Sequence, residues 1–154
     1  MSLEQWRRND WLMAKPATLP EITQLLAVVD RELNDCDAKN LSIDGRFMHA
    51  YDAALTLCQV ALRASGFCVN RKQHSHHKIT IESLPLTLEP RFADVAALIV
   101  VASRKRSQAL YDRVGVVESR DADDLAETAR SLRSDILKWL VANHKQLLPR
   151  GIGP

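Results

Sequence analysis

Apolar positions recur along this chain at helical spacing, and they do so in two styles. Ile22, Leu25, Leu26, Val29 and Leu33 follow the i, i+3, i+4, i+7 pattern of one helix stripe. Leu125, Ala129, Leu132, Ile136 and Leu140 form a second stripe of the same kind. Two other stretches are apolar on more than one side. In Ile43 to Ala64 the main face of Phe47, Tyr51, Ala54, Leu55, Cys58 and Leu62 is widened by Met48, Leu57, Val60 and Ala61. In Pro90 to Arg113 the run from Val95 to Ala102 is unbroken and then turns abruptly basic at Arg104, Lys105 and Arg106. A helix apolar all round must be covered all round. This stretch is therefore expected to run through the middle of the molecule, or through a subunit interface, and to deliver a polar cluster at its C-terminal end.

Start and stop signals agree with these helices. Thr18-Leu-Pro-Glu21 has the form of a capping box with Pro20 in the first turn. Ser42 caps the next helix and Gly66 ends it as a C′ residue. Ser75 opens a short helix before Pro85; Ile79-Thr-Ile81 also alternates like a strand, but nothing else offers it a strand partner. Glu89-Pro90 opens the basic-tipped helix, and Ser119 or Asp121 caps the last one, which runs to about Leu147 or Leu148. Ser2 starts a short helix to about Ala14, closed by Pro16. The organisation expected is a helical extension over 1–17, a helical bundle domain over 18–148 and a disordered tail over 149–154. The fold class is all-α, an antiparallel four-to-five-helix bundle. Two helices carry more apolar surface than such a monomer covers, which predicts a homodimer.

Size and composition narrow this little further. A chain of 154 residues is one domain with room for a core, and only five glycines argue against a turn-rich β protein. Cys36, Cys58 and Cys68 are odd in number and lack a C-x-x-C pair, so a reducing, cytoplasmic setting is expected. No signal peptide is visible, and no apolar run approaches the ~18–20 residues that span a bilayer. The net charge of +2 is uninformative, but Ser103 to Arg113 gathers four cationic side chains against Asp112 alone. There is no P-loop, no GxSxG elbow and no paired-carboxylate motif.

The chemistry therefore concentrates at the basic tip. Arg104, Gln108 and Tyr111 stand at i, i+4, i+7 with Asp112 adjacent. They share a helix face. Arginine offers a planar fork to phosphate and tyrosine a stacking surface with a hydroxyl. The same residues also suit a salt-bridged helix end, where arginine satisfies the last carbonyls. His74, His76 and His77, with Cys68 nearby, are metal-capable. Their spacing is not that of a structural zinc site, so they are read as loop and helix start. His76 or His77 is also placed to contact the Arg104 end of the basic helix. His49, on a buried helix, is read as a hydrogen-bonded core or interface residue. No cofactor and no metal are expected.

At these residues the chain resembles the HEPN domains (higher eukaryotes and prokaryotes nucleotide-binding). The resemblance rests on Asp44-Gly-Arg-Phe-Met-His-Ala-Tyr51-Asp-Ala-Ala, on the His76-His77 loop with its short helix, and on Arg104-Lys-Arg-Ser-Gln-Ala-Leu-Tyr111-Asp before a final amphipathic helix. It covers roughly Leu41 to Leu148. It implies a helical-bundle dimer and, in many members, metal-independent ribonuclease activity from an Arg followed four to six residues later by a His. In toxin members a Tyr lies two residues past that His and is modified by a partner nucleotidyltransferase; Tyr111 matches that Tyr. Here the His is missing. One register puts Ala109 in its place and the other puts Tyr111 there. A phenol of pKa ~10 shuttles protons poorly at neutral pH beside an imidazole near ~6.5. The resemblance thus implies a non-catalytic RNA- or nucleotide-binding, bacterial toxin–antitoxin-type module using Arg104, Arg106 and Tyr111. Two alternatives stand beside it: a ribonuclease that borrows a His such as His76 or His77, and a dimeric interaction protein without ligand.

Overall fold

The computed structural model describes residues 1–111 and 115–153, with Tyr111 described by its backbone alone. Its elements are α1 (Leu3–Arg8), β1 (Leu12–Ala14), α2 (Leu19–Cys36), α3 (Ile43–Ala64), β2 (Phe67–Val69), α4 (His76–Glu82), α5 (Leu84–Thr87), a 3-10 turn (Pro90–Phe92), α6 (Ala93–Tyr111), α7 (Ser119–Asn143) and a 3-10 turn (Lys145–Leu147). The fold is an all-α bundle with one two-stranded ribbon. Among the described residues no helix is long and apolar enough to cross a membrane.

The helix starts follow the cap residues closely. The Ser42 hydroxyl accepts from the Gly45 amide at 3.0 Å and starts α3. At α2 the Thr18 hydroxyl accepts from the Glu21 amide at 3.4 Å. The expected capping box does not close, because the Glu21 carboxylate turns instead to Arg63 on α3, 2.7 Å away. At α7 the cap is Glu118, one residue before the expected serine; its amide donates to Asp121 at 2.9 Å. The α7 stripe of Leu125, Ala129, Leu132, Ile136 and Leu140 is buried along its whole length. Its flanks are tied to α2 and the turn after it by Arg133–Asp30 at 2.7 Å and Arg130–Asp37 at 2.6 Å.

The middle of the bundle belongs to α3, not to α6. Helix α3 packs against α2, α7, α6 and α4. Its alanines at 50, 53, 54 and 61 are fully buried and let neighbours approach closely on several sides. Helix α6 buries Ala96, Ile99 and Ala102 inward but leaves Leu98 41% and Val101 50% exposed on the other side. Of the two placements expected for this stretch, the centre is therefore taken by α3, and α6 lies on the flank with an apolar face bare.

The N-terminal segment departs from the expected helix. Helix α1 ends early, Asp10 adopts φ 59°, and Leu12–Ala14 pairs antiparallel with Phe67–Val69 in the register Leu12↔Val69. Three-residue strands are too short to carry a readable period. Gly66, at φ 90°, makes the turn from α3 into β2. Trp6, Leu12 and Leu62 form a small second core under the ribbon. The end of the chain also folds back further than expected: Pro149 is buried and Ile152 packs on the main core. The three cysteines are free, and burial pushes the Cys58 thiol up to about 12.

Candidate functional site

The basic end of α6 splits in two. Positions 104 and 106 lie ~200° apart around a helix, so they face opposite ways. Arg104 and Gln108 are exposed on the outer face. Lys105 is tied to Asp121 of α7 at 3.0 Å. Arg106 turns inward to α3. The Tyr111 side chain and Asp112 lie outside the described residues.

Around Arg106 the fold gathers side chains distant in sequence. Its guanidinium carbon stands 5.3 Å from the centroid of the Tyr51 ring. Its Nε is 3.8 Å from an Asp52 carboxylate oxygen, too far for a hydrogen bond. That Nε is buried and has no hydrogen-bond partner among the described residues. The Tyr51 ring is fully buried, and its hydroxyl reaches His77 Nδ1 of α4 at 3.4 Å. His77 also borders a groove of about 320 Å³ between α3, β2 and α4, lined by Leu55, Gln59, Cys68, His76 and Thr80.

Burial sets the proton affinities here. It pushes the Tyr51 hydroxyl up, against opposing pulls from Ser103 and the Arg106 charge. It pushes the Asp52 carboxyl up too, with Arg106 again pulling the other way. It pushes the His77 imidazole down, and the Arg106 charge adds to the shift. His77 is thus neutral at neutral pH and able to accept a proton. One turn before Asp52 on α3, His49 Nδ1 donates to the Glu32 carboxylate of α2 at 2.6 Å, in keeping with its expected hydrogen-bonded role.

Of the candidates read from the sequence, Arg106 and His77 come together. His76 is exposed nearby, and Arg104 and Gln108 stand apart on the outer face. Tyr51 and Asp52 were missed as site residues because they sit in an apolar run that reads as core. The available signal was Asp52 itself, a charge one turn from His49 on a helix otherwise apolar on several sides. No family model, curated protein or solved structure matches the chain.

The lowered His77 proton affinity has a consequence for stability. A histidine whose folded pKa lies below its unfolded value binds its proton more readily when unfolded. Its stabilising effect is whole above the ordinary value of 6.5 and is lost as pH falls below it, until the folded pKa is passed. His144, lowered by burial beside Trp139, adds loss of the same sign. Urea midpoints should therefore drop between pH 7.5 and pH 5.5, and His77→Gln with His144→Gln should shrink that drop.

Proposed function

We propose that this protein is a HEPN-like dimer that holds the phosphate of an RNA or nucleotide at Arg106 without cutting it. The observation that carries the reading is the unsatisfied guanidinium. A buried N–H without an acceptor costs about 1–3 kcal/mol. Its nearest carboxylate is out of hydrogen-bond reach at 3.8 Å. An oxyanion entering beside Asp52 and His77 would meet the outer N–H groups of this guanidinium, whose side chain is 29% exposed, and arginine recognises phosphate through such paired donors. The adjoining groove, with an amide, a hydroxyl and two imidazoles on an apolar floor, is suited to a base or sugar next to that phosphate.

The bare face of α6 supports the dimer. Asp94, Ala97, Leu98, Val101 and Arg104 are all exposed along it. Neither Asp94 nor Arg104 has an ion-pair partner within the chain among the described residues. Two copies of α6 packed antiparallel about a two-fold near Leu98 and Val101 would cover the stripe and set Asp94 of one against Arg104 of the other. At ~1.5 Å per residue the two Arg106 positions would then lie within ~20 Å of each other along the helix pair. Val101→Glu, on an exposed position that leaves the fold intact, should turn a dimer into a monomer in light scattering.

A second reading is favoured by one contact, His77 with Tyr51 beside Arg106. A neutral His77 imidazole would take the proton of a ribose 2′-hydroxyl, whose oxygen attacks the adjacent phosphorus. Arg106 would hold the added negative charge, and the departing 5′-oxygen would take a proton from water. The test is a titration of labelled single-stranded RNA in EDTA, read by anisotropy and by denaturing gel. Salt-sensitive binding with intact RNA supports the first reading. Cleavage lost in His77→Ala moves the conclusion to the second. Neither binding nor cleavage rejects both.

A further inference from the structure

We infer that Glu32, Asp35 and His49 form a binding site for a divalent transition-metal ion, with zinc the best-matched. The inference is independent of the phosphate reading. Glu32 and Asp35 stand at i, i+3 on α2, and His49 comes from the facing helix α3. One ligand atom from each lies within 4.8 Å of the other two. Helical bundles build metal sites in this way, from side chains one turn apart on one helix and a histidine on its neighbour.

The three groups are prepared for an ion in different ways. Glu32 is nearly buried, and its second oxygen is held by Arg31 at 2.9 Å. Burial pushes its carboxyl up, but the bonds from His49 and Arg31 outweigh this and hold it below the usual carboxylate range. The Arg31 contact fixes the orientation of this carboxylate toward His49. His49 Nδ1 already meets Glu32 Oε2 at 2.6 Å. An ion ~2.0–2.1 Å from each atom would take the place of the shared proton and open that contact to ~3.3 Å. Side-chain rotation suffices for this.

Asp35 supplies the independent observation. Every other acid of α2 has a cationic partner: Glu21 has Arg63, Asp30 has Arg133, and Glu32 has Arg31 and His49. Asp37, just past the helix, has Arg130. The Asp35 carboxylate alone makes no hydrogen bond or ion pair among the described residues, and one of its oxygens lies within 4.8 Å of the Glu32 and His49 ligand atoms. One imidazole nitrogen with two carboxylate oxygens suits a borderline ion such as Zn²⁺; Mg²⁺ and Ca²⁺ favour all-oxygen sets. Three protein ligands leave a fourth position for water.

The experiment uses the full chain, stripped with chelator and dialysed. Zn²⁺ is titrated by calorimetry and Co²⁺ by visible absorption. One ion per chain is expected, with the Co²⁺ bands of a nitrogen–oxygen tetrahedral site. Asp35→Asn and His49→Ala should each weaken binding at least ~10-fold. Zn²⁺ should raise the Tm of the wild type but not of Asp35→Asn. Asp35 is exposed, so this variant decides the matter even if His49→Ala folds poorly. The inference is overturned by the absence of a one-to-one isotherm. It is equally overturned by binding that is unchanged in Asp35→Asn, including binding that moves with His74→Ala or His76→Ala in the loop.

Discussion

Replacing Arg63 with alanine is expected to destabilise the protein by about 3–5 kcal/mol, the range for breaking a buried ion pair by removing one partner. Arg63 is 4% exposed although it is charged. Its five N–H donors all find acceptors. Nε donates to one Glu21 carboxylate oxygen at 2.7 Å and Nη2 to the other at 3.0 Å. Nη1 donates to the carbonyls of Lys15 at 2.6 Å and Phe67 at 2.9 Å, and Nη2 also to that of Pro16 at 3.3 Å. One side chain thus joins α3, the start of α2 and both strands of the ribbon at one end. Lysine has three donors and no fork, so Arg63→Lys should lose less than alanine but still more than a surface change. Urea unfolding by circular dichroism measures the loss. Trp6, packed under the ribbon, should report it by red-shifted emission before the main transition. The Glu21 carboxyl is held low first by its bond to Arg63, so this part of the stability is present above the ordinary 4.5 and is lost as pH falls through the folded value. That acid dependence should vanish in Arg63→Ala.

Arg106→Ala should behave in the opposite way. The affinity for single-stranded RNA or a nucleotide is expected to fall on the order of 10- to 100-fold, about 1.4–2.7 kcal/mol. The folding stability should hold or rise slightly. The contrast comes from the two guanidinium environments. Arg63 is saturated with acceptors. Arg106 has a buried Nε with none and a carboxylate only at 3.8 Å. Removing an unsatisfied donor relieves a cost within the free protein. Arg106→Lys keeps the charge but not the paired donors, so its affinity should fall between wild type and alanine while the salt slope stays near the wild-type one. Equal affinity in wild type and Arg106→Ala would remove the phosphate site from Arg106.

Much of the fold was legible in the order of residues because it is made of long helices. The stripes of α2 and α7, the serine before α3 and the glycine after it each carry a local signal strong enough to read. The ribbon was not legible, because three residues a side leave no period and the pairing joins positions more than fifty apart. Which of the two placements the basic-tipped helix takes was not legible for a related reason. A run such as Val95 to Ala102 records how much surface is apolar, not which flank a neighbour takes. Small residues on α3, rather than larger ones on α6, decided who sits in the middle. At the site, Arg106 and His77 were visible as residue types beside a helix end. Tyr51 and Asp52 were not, since their meeting with Arg106 depends on how α6 lies across α3.

The position of α3 also bears on how the molecule is made. Helix α2 packs mainly on α3, and the strand just after α3 is the one that closes against the strand just before α2. A nascent chain therefore holds a matched pair of helices, latched at one end, once Val69 has emerged from the ribosome. Helices α6 and α7 arrive later and dock on a wall that already exists, which lets the molecule grow outward from its first-made part.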